Sequence, residues 1–401
     1  MAKGKKIAQD IALQRAKYPH LSDEAFRFMV QQIAGRERLR EKLPTITAQE
    51  EWWFPAGLAC EQCSSEQTAW YKVQCLQEKA PFDTFVDLTG GYGVDSFFLS
   101  SLAKEGHYVE QDEALCRIAA HNFSLSRPHI TVHNTTAEEY LNGLADSPLS
   151  TLLYIDPARR GTGGNKVFRL EDCTPNVVAL LPQLLSKSSL LMMKLSPMLD
   201  ITAALRALGG RFDVHVVAVH NEVKELLLLC KQTEQETAYI TAVNITGTIA
   251  APQVQRLCFT YEDERGAEVQ YLPADSLPRY LYEPNAALTK ACAFRYVSAH
   301  FRLQKLAPNT HLYASSVLLP DFPGRVWEVA QTLSSRDTKH ALLQILSDQG
   351  NAKGCAVLTR NYPMNAEQLR RKLGVPDDDT WYAIGARVGN KPTLYLARRV
   401  R

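Results

Sequence analysis

The chain has 401 residues, 45% hydrophobic and 22% charged, a length that predicts two to four domains and a composition that reads as globular and soluble. No apolar run approaches the roughly 20 residues that cross a bilayer, and none follows the basic stretch 1–6, which excludes a spanning helix and a signal peptide. The formal net charge of +2 hides an asymmetry: residues 281–401 hold 17 Lys+Arg against 9 Asp+Glu, while the rest is net acidic, so the basic end suits a polyanion or is a plain solvated surface.

Residues 1–75 are rich in helix formers. Helices are expected over Ile7–Ala16, Asp23–Arg40 and Ser65–Gln77, the last two with Ser or Asp starts, and the run Trp52 to Pro55 interrupts them. Cys60 and Cys63 form the one C-x-x-C motif among nine cysteines. No second spaced pair completes a zinc site, so no metal is expected. An odd cysteine count without a signal peptide favours reduced thiols and a cytoplasmic location.

From residue 84 the text changes. Short apolar strands are expected at Thr84–Leu88, Tyr108–Glu110, Ile130–His133, Leu152–Asp156 and Leu190–Leu195. Helices are expected between them, over Val94–Lys104, Glu113–Ser126, Ala137–Leu144 and Pro175–Ser186. Such alternation predicts a parallel sheet covered on both faces. Phe212–Val219 and Glu225–Cys230 are then separated by only five residues, too few for a crossover helix, so these two strands should be antiparallel. Further strands are expected at Gln255–Tyr261 and Ala267–Leu272, flanking a turn at Glu262–Gly266. After a linker, Pro320–Arg325, a β-α-β-α-β-β pattern runs over Val326–Val329, Asp337–Asp348, Cys355–Leu358, Ala366–Leu373, Trp381–Ala386 and Thr393–Ala397.

The strongest chemical signal is the stretch from Val86 to Phe98. A strand delivers Asp87, and Gly90, Gly91 and Gly93 let the backbone approach a ligand closely. A helix near Val94 then presents free N–H groups. A dinucleotide site would want a third glycine where Ser96 stands. A site for S-adenosylmethionine (SAM) wants an acidic residue just before the turn, which Asp87 supplies. Both classes want an acidic residue closing the second strand to hold ribose hydroxyls, and Glu110 supplies it. A tight turn with no ligand is the plainer alternative.

The fourth strand, Leu152 to Ile155 followed by Asp156-Pro157-Ala158-Arg159-Arg160-Gly161, adds specificity. This order of parts, over residues 60–232, resembles the class I SAM-dependent methyltransferases. The resemblance implies an α/β fold with a seven-stranded Rossmann-like methyltransferase sheet. By position, Asp87, Gly90, Gly91 and Gly93 would surround the amino-acid end of SAM, Glu110 the ribose, and Thr135 and Thr136 the adenine. Asp156 would accept from the group being methylated, beside Pro157. The Asp-Pro-Ala-Arg stretch departs from the family's Asn/Asp-Pro-Pro-aromatic pattern: Ala158 replaces a proline and Arg159 the ring that stacks a flipped base. Arg159 can itself stack on a base and contact phosphate, and Phe168 is a candidate for the missing ring. The stretch Gln62–Ala69 is similar to the Ser-x-Thr-Pro-Glu segment of cap-guanine methyltransferases, which would place Ser65 near SAM, although Ser65 as an ordinary N-cap explains it equally. Arg160 and Lys194 would line the same rim, where open α/β sheets bind ligands. Cys173 is the one candidate for the nucleophile that pyrimidine-carbon methylation needs. Amine methylation needs none.

The C-terminal pattern resembles the THUMP-like domains beside RNA methyltransferases, with Thr359 to Pro363 as its most suggestive stretch. Arg370 and Arg371 would meet RNA phosphates. The expected organisation is a helical region (1–75), a methyltransferase domain (76–235), a β-rich connector with a small intermediate domain (236–322) and a smaller α+β module (323–401). The leading expectation is an enzyme methylating a base amine in tRNA or rRNA. A small-molecule or protein methyltransferase, and a non-catalytic RNA-binding protein, are the alternatives.

Overall fold

The computed structural model describes residues 10–11, 15–145, 150–159, 169–209, 212–231, 237–333, 342, 344, 347 and 354–400. The chain forms two compact units. One comprises residues 1–219, 224–238 and 247–253, the other 220–223, 239–246 and 254–401.

In the first unit the helix Asp23–Leu39 starts at Ser22, whose side chain accepts from the Ala25 N–H. Asp23 and Glu24 stand in its first turn and Arg36 and Arg38 in its last, each sign where the helix dipole favours it. The helix Glu66–Leu76 starts at Ser65 and buries Ala69, Lys72 and Leu76. That spacing is a single helical face, and it carries a lysine among apolar residues.

The alternation of strand and helix follows as expected. The strands are β1 (Phe82–Asp87), β2 (Ala103–Glu110), β3 (Ile130–Asn134), β4 (Thr151–Ile155), the two-residue β5 (Ala158–Arg159) and β6 (Cys173–Thr174), β7 (Leu190–Leu195), β8 (Asp213–Val219) and β9 (Glu222–Lys231). The largest shifts lie at one junction, and β9 starts at Glu222, which leaves two residues rather than five after β8. The helix expected to reach Lys104 ends at Leu99, and β2 already begins at Ala103. The first half of β2 is largely exposed, so its polar residues carry no apolar strand signal.

The main sheet has nine strands in the order β11-β10-β8-β9-β7-β4-β1-β2-β3, not the seven expected; β10 (Ile240–Gly247) and β11 (Pro252–Phe259) extend it. β1 runs parallel to β2 and β4, with Asp87 opposite Tyr108 and Tyr154. β7 is parallel to β4 and antiparallel to β9. The turn before β9 contains His220 and Asn221 at φ 49° and 66°, the left-handed pair that a two-residue hairpin requires. One core packs Phe85, Leu99, Leu152 and Met192 under the helix Glu66–Leu76. Another joins Leu39, Trp52 and Phe54 to Phe97, Tyr108 and Phe123.

In the second unit, Glu262–Gly266 is no turn between strands. It belongs to the helix Tyr261–Gly266, closed by a capping box between Thr260 and Asp263, and the following residues make only an isolated bridge from Tyr271 to Lys305. The acidic first turn and the capping pair explain the helix. A seven-stranded sheet follows. It is built from β12 (Tyr280–Pro284), β13 (Gln304–Ala307), β14 (Thr310–Ser315), β15 (Gly324–Leu333), β16 (Ala356–Arg360), β17 (Trp381–Val388) and β18 (Lys391–Arg399). Their order is β13-β14-β12-β15-β18-β17-β16. The helix expected over 337–348 lies outside the described residues except at 342, 344 and 347. Among the described residues no helix is long and apolar enough to cross a membrane.

Candidate active site

The parallel strands deliver their carboxyl ends to one edge. β1 ends on Asp87 and β2 on Glu110, Asp156 follows β4, and Lys194 is the next-to-last residue of β7. A pocket of about 370 Å³ opens there in the first unit. It brings together Asp87, Gly90, Gly91, Gly93, Glu110, Thr135, Thr136, Asp156 and Lys194, nine of the residues singled out from sequence.

The turn between β1 and its helix is held from several sides. Asp87 is buried; one carboxylate oxygen accepts from the Thr89 N–H at 3.0 Å and the other from the Ser96 hydroxyl at 2.5 Å. Burial pushes its carboxyl up to about 7 against the pull of those donors. Ser96, which counted against a dinucleotide motif, is thus the partner of Asp87. Glu110 accepts from the Gly91 N–H and the Asp112 N–H, each at 2.9 Å. The three glycines do different work. Gly91 has φ 55°, and a Cβ there would meet nothing nearer than 3.8 Å. At Gly90 a Cβ would lie 2.2 Å from the Tyr108 ring, and at Gly93, with φ 84°, 2.9 Å from Phe123. Gly91 faces open space, whereas Gly90 and Gly93 let the turn pack on aromatic rings.

Across the pocket, the Asp156 N–H donates to the Thr89 hydroxyl at 2.7 Å, and Lys194 forms an ion pair with the Asp156 carboxylate. Burial works against the Lys194 ammonium, but Asp156, Asp95 and Glu225 outweigh it and hold the group above the usual lysine range. The ion pair with Asp156 thus favours the cationic form of Lys194. Thr135 donates to Glu139 at 2.6 Å and Thr136 caps the helix Ala137–Gly143, so both line the pocket while anchoring that helix.

Other expected residues fall elsewhere. Ser65 turns its hydroxyl to the Thr68 N–H at 3.2 Å as a helix cap, and its neighbour Ser64 stands on the pocket wall. Pro157 is buried, and the wall is formed by Asp156 and Ala158 on either side of it. Arg159 lies on β5, but its side chain, Arg160 and Phe168 are outside the described residues. Cys173 is buried, and burial raises its thiol, which disfavours the thiolate a nucleophile needs. Cys60 and Cys63 are free thiols, both raised by burial. Arg370 and Arg371 belong to the second unit, on the helix Ala366–Leu373, where they pair with Asp377 and Glu367.

Sequence reasoning missed a buried charge cluster beside the pocket. Lys72 is fully buried and lies 3.0 Å from Asp95 and 2.8 Å from Glu225. Asp95 also accepts from the Ser64 hydroxyl at 2.6 Å and the Tyr154 hydroxyl at 2.7 Å. Burial opposes the Asp95 charge, yet Lys72 and Lys194 hold its carboxyl below the usual range. The same burial leaves Glu225 raised. The available signal was a lysine on the apolar face of the helix Glu66–Leu76 and an aspartate in the first turn after the glycines.

Comparison with known proteins adds to this geometry. Residues 280–323 match a ferredoxin-like domain family and residues 324–399 a THUMP domain-like family. A protein of Porphyromonas gingivalis W83, described as a "putative methyltransferase", is 31% identical, with a TM-score of 0.81 over 95% of this chain and 92% of that one. An rRNA methylase from Streptococcus thermophilus is 16% identical over 41% of this chain and 95% of its own, with a TM-score of 0.32. A SAM-dependent methyltransferase from Agrobacterium tumefaciens is 16% identical over 49% and 61%, also with a TM-score of 0.32. At those scores neither of the last two bears on the assignment. No protein of curated function matches the chain.

Proposed function

We propose that the chain, which belongs to the family of the P. gingivalis protein and matches a THUMP domain-like family over residues 324–399, is a class I SAM-dependent methyltransferase that methylates a base amine in structured RNA, tRNA or rRNA. The observation that carries the proposal is the single pocket where Asp87, the glycine turn, Glu110 and Asp156 meet. Its residues fit the cofactor: a buried carboxylate suits the ammonium of the amino-acid end, the open face of Gly91 leaves room for it, and Glu110 can accept from ribose hydroxyls while keeping its backbone donors. Thr135 and Thr136 stand where the adenine would lie. When bound, SAM supplies an electrophilic methyl group.

The remaining chemistry belongs to the chain. Asp156 accepts a hydrogen bond from the acceptor amine and favours the positive charge that grows as nitrogen attacks. Lys194 holds that carboxylate in place. Ala158, Thr174 and Pro175 shape the same wall, and the base enters there, with Arg159 and Arg160 as its phosphate or stacking partners. The basic surplus of residues 281–401 supports an RNA partner, with Arg370 and Arg371 among its contacts. Cytoplasmic RNA is the expected pool.

The test is transfer of label from methyl-tritiated SAM to total RNA from a deletion strain, with the product read by nucleoside mass spectrometry. Label in a methylated base, absent from the strain's own RNA, is the expected result. Label in protein or small molecules alone would refute the RNA reading.

A further inference from the structure

Two cations and three carboxylates crowd behind the acceptor wall, and their pairing is uneven. Lys194, from β7, holds Asp156. Asp95 and Glu225 also attract it. Both of these rivals are buried, Asp95 in the first turn of the helix Val94–Leu99 and Glu225 on β9. A lysine side chain is long and flexible, and an unpaired buried carboxylate is a strong competitor for it.

Lys72 stands between those rivals. Its ammonium lies 3.0 Å from one Asp95 oxygen and 2.8 and 2.9 Å from the two Glu225 oxygens. The second Asp95 oxygen is taken by the Ser64 and Tyr154 hydroxyls. With Lys72 in place, each rival has a cation other than Lys194 within 3.0 Å.

We propose that Lys72 is a positioning residue, which occupies Asp95 and Glu225 so that Lys194 stays on Asp156 and the carboxylate facing the acceptor amine keeps its orientation. Its link to turnover rests on the methyltransferase reading; the placement of Lys194 does not. Lys72 is not among the residues that line the pocket. A purely structural buried lysine would make the protein less stable when removed, but it would not make Lys194 change partner.

The experiment compares Lys72→Met with the charge-balanced double variant Lys72→Met/Glu225→Gln. Crystal structures of both, at pH 8, read the position of Lys194. The single variant is expected to show the Lys194 ammonium turned to Glu225, since Asp95 keeps the Ser64 and Tyr154 hydroxyls, and the double to return it to Asp156. In the RNA transfer assay the single variant should lose roughly a hundredfold in kcat, as small misplacements of reacting groups do, with KM for SAM nearly unchanged. The double should recover most of that loss. If Lys72→Met does not fold, Lys72→Gln, which keeps a donor but no charge, replaces it. Lys194 still on Asp156 in a folded single variant, or a double variant no better than the single, overturns the proposal. Should wild-type protein label no RNA, the RNA reading fails, while the position of Lys194 still decides this one.

Discussion

Alanine at Gly90 and alanine at Gly91 probe different physics at adjacent positions. At Gly91 nothing stands within 3.8 Å of a Cβ, so the cost is the left-handed backbone at φ 55°, roughly 1–2 kcal/mol for a residue with a side chain. At Gly90 the Cβ would sit 2.2 Å from Tyr108 Cε2 and 2.5 Å from its Cζ. Carbon contacts are ordinarily about 3.5–4.0 Å, so the ring would have to retreat by more than 1 Å. Tyr108 is fully buried, packs edge-on against Phe123 and donates to the Gly91 carbonyl at 2.5 Å. Overpacking typically costs about 1–3 kcal/mol and the lost hydrogen bond about 1 more, for a total of roughly 2–4 kcal/mol. Calorimetric unfolding and titration with SAM measure both effects. We expect Gly90→Ala to melt several degrees below Gly91→Ala, with Gly91→Ala the folded variant whose loss is mainly in SAM affinity. A Gly90→Ala protein as stable as Gly91→Ala would refute the packing account of this turn.

Asp156→Ala should keep SAM affinity within a few-fold while turnover falls by roughly a hundredfold, the scale of a lost positioned acid–base group; single-turnover label transfer measures it, and wild-type turnover would remove Asp156 from the chemistry. Asp87, raised to about 7 by burial, binds its proton more tightly in the folded protein than in the unfolded chain, so its stabilising contribution is complete below its unfolded value and is lost as pH rises through 7. Asp87→Asn should therefore flatten the decline in urea midpoint between pH 5 and pH 8, and a variant that declines in step with wild type would contradict this. Arg370→Glu/Arg371→Glu should weaken RNA binding and lower its salt dependence, as read by filter binding at several salt concentrations; an unchanged slope would exclude these arginines as phosphate contacts.

The parallel strands and their carboxyl-edge residues were legible because each signal is local. Buried strands read as apolar runs, and Asp87, Glu110 and Asp156 each sit at the end of one. The early start of β2 was hidden by its exposed half; β11 matches the strand expected over Gln255–Tyr261, but β10 and the place of both in the main sheet were not legible. The cluster of Lys72, Asp95 and Glu225 was invisible for another reason: its members are up to 153 residues apart in the chain, and only the packing of a helix against β9 makes them neighbours. A capping hydroxyl such as Ser65 and a pocket-lining one such as Ser64 look alike in a sequence. Only the helix start separates them.

The two units alternate along the chain. Residues 220–223 and 239–246 belong to the second unit, while 224–238 and 247–253 return to the first. Modules joined end to end can be gained, lost or exchanged by one genetic breakpoint, and each survives the cut. Here any breakpoint between residues 220 and 253 takes segments from both units at once. The second unit is therefore discontinuous in the chain, although its THUMP-like stretch, residues 324–399, is continuous. Exchanging the whole second unit would require several coordinated junctions, whereas residues 324–399 lie beyond all of these crossings and could be exchanged at one.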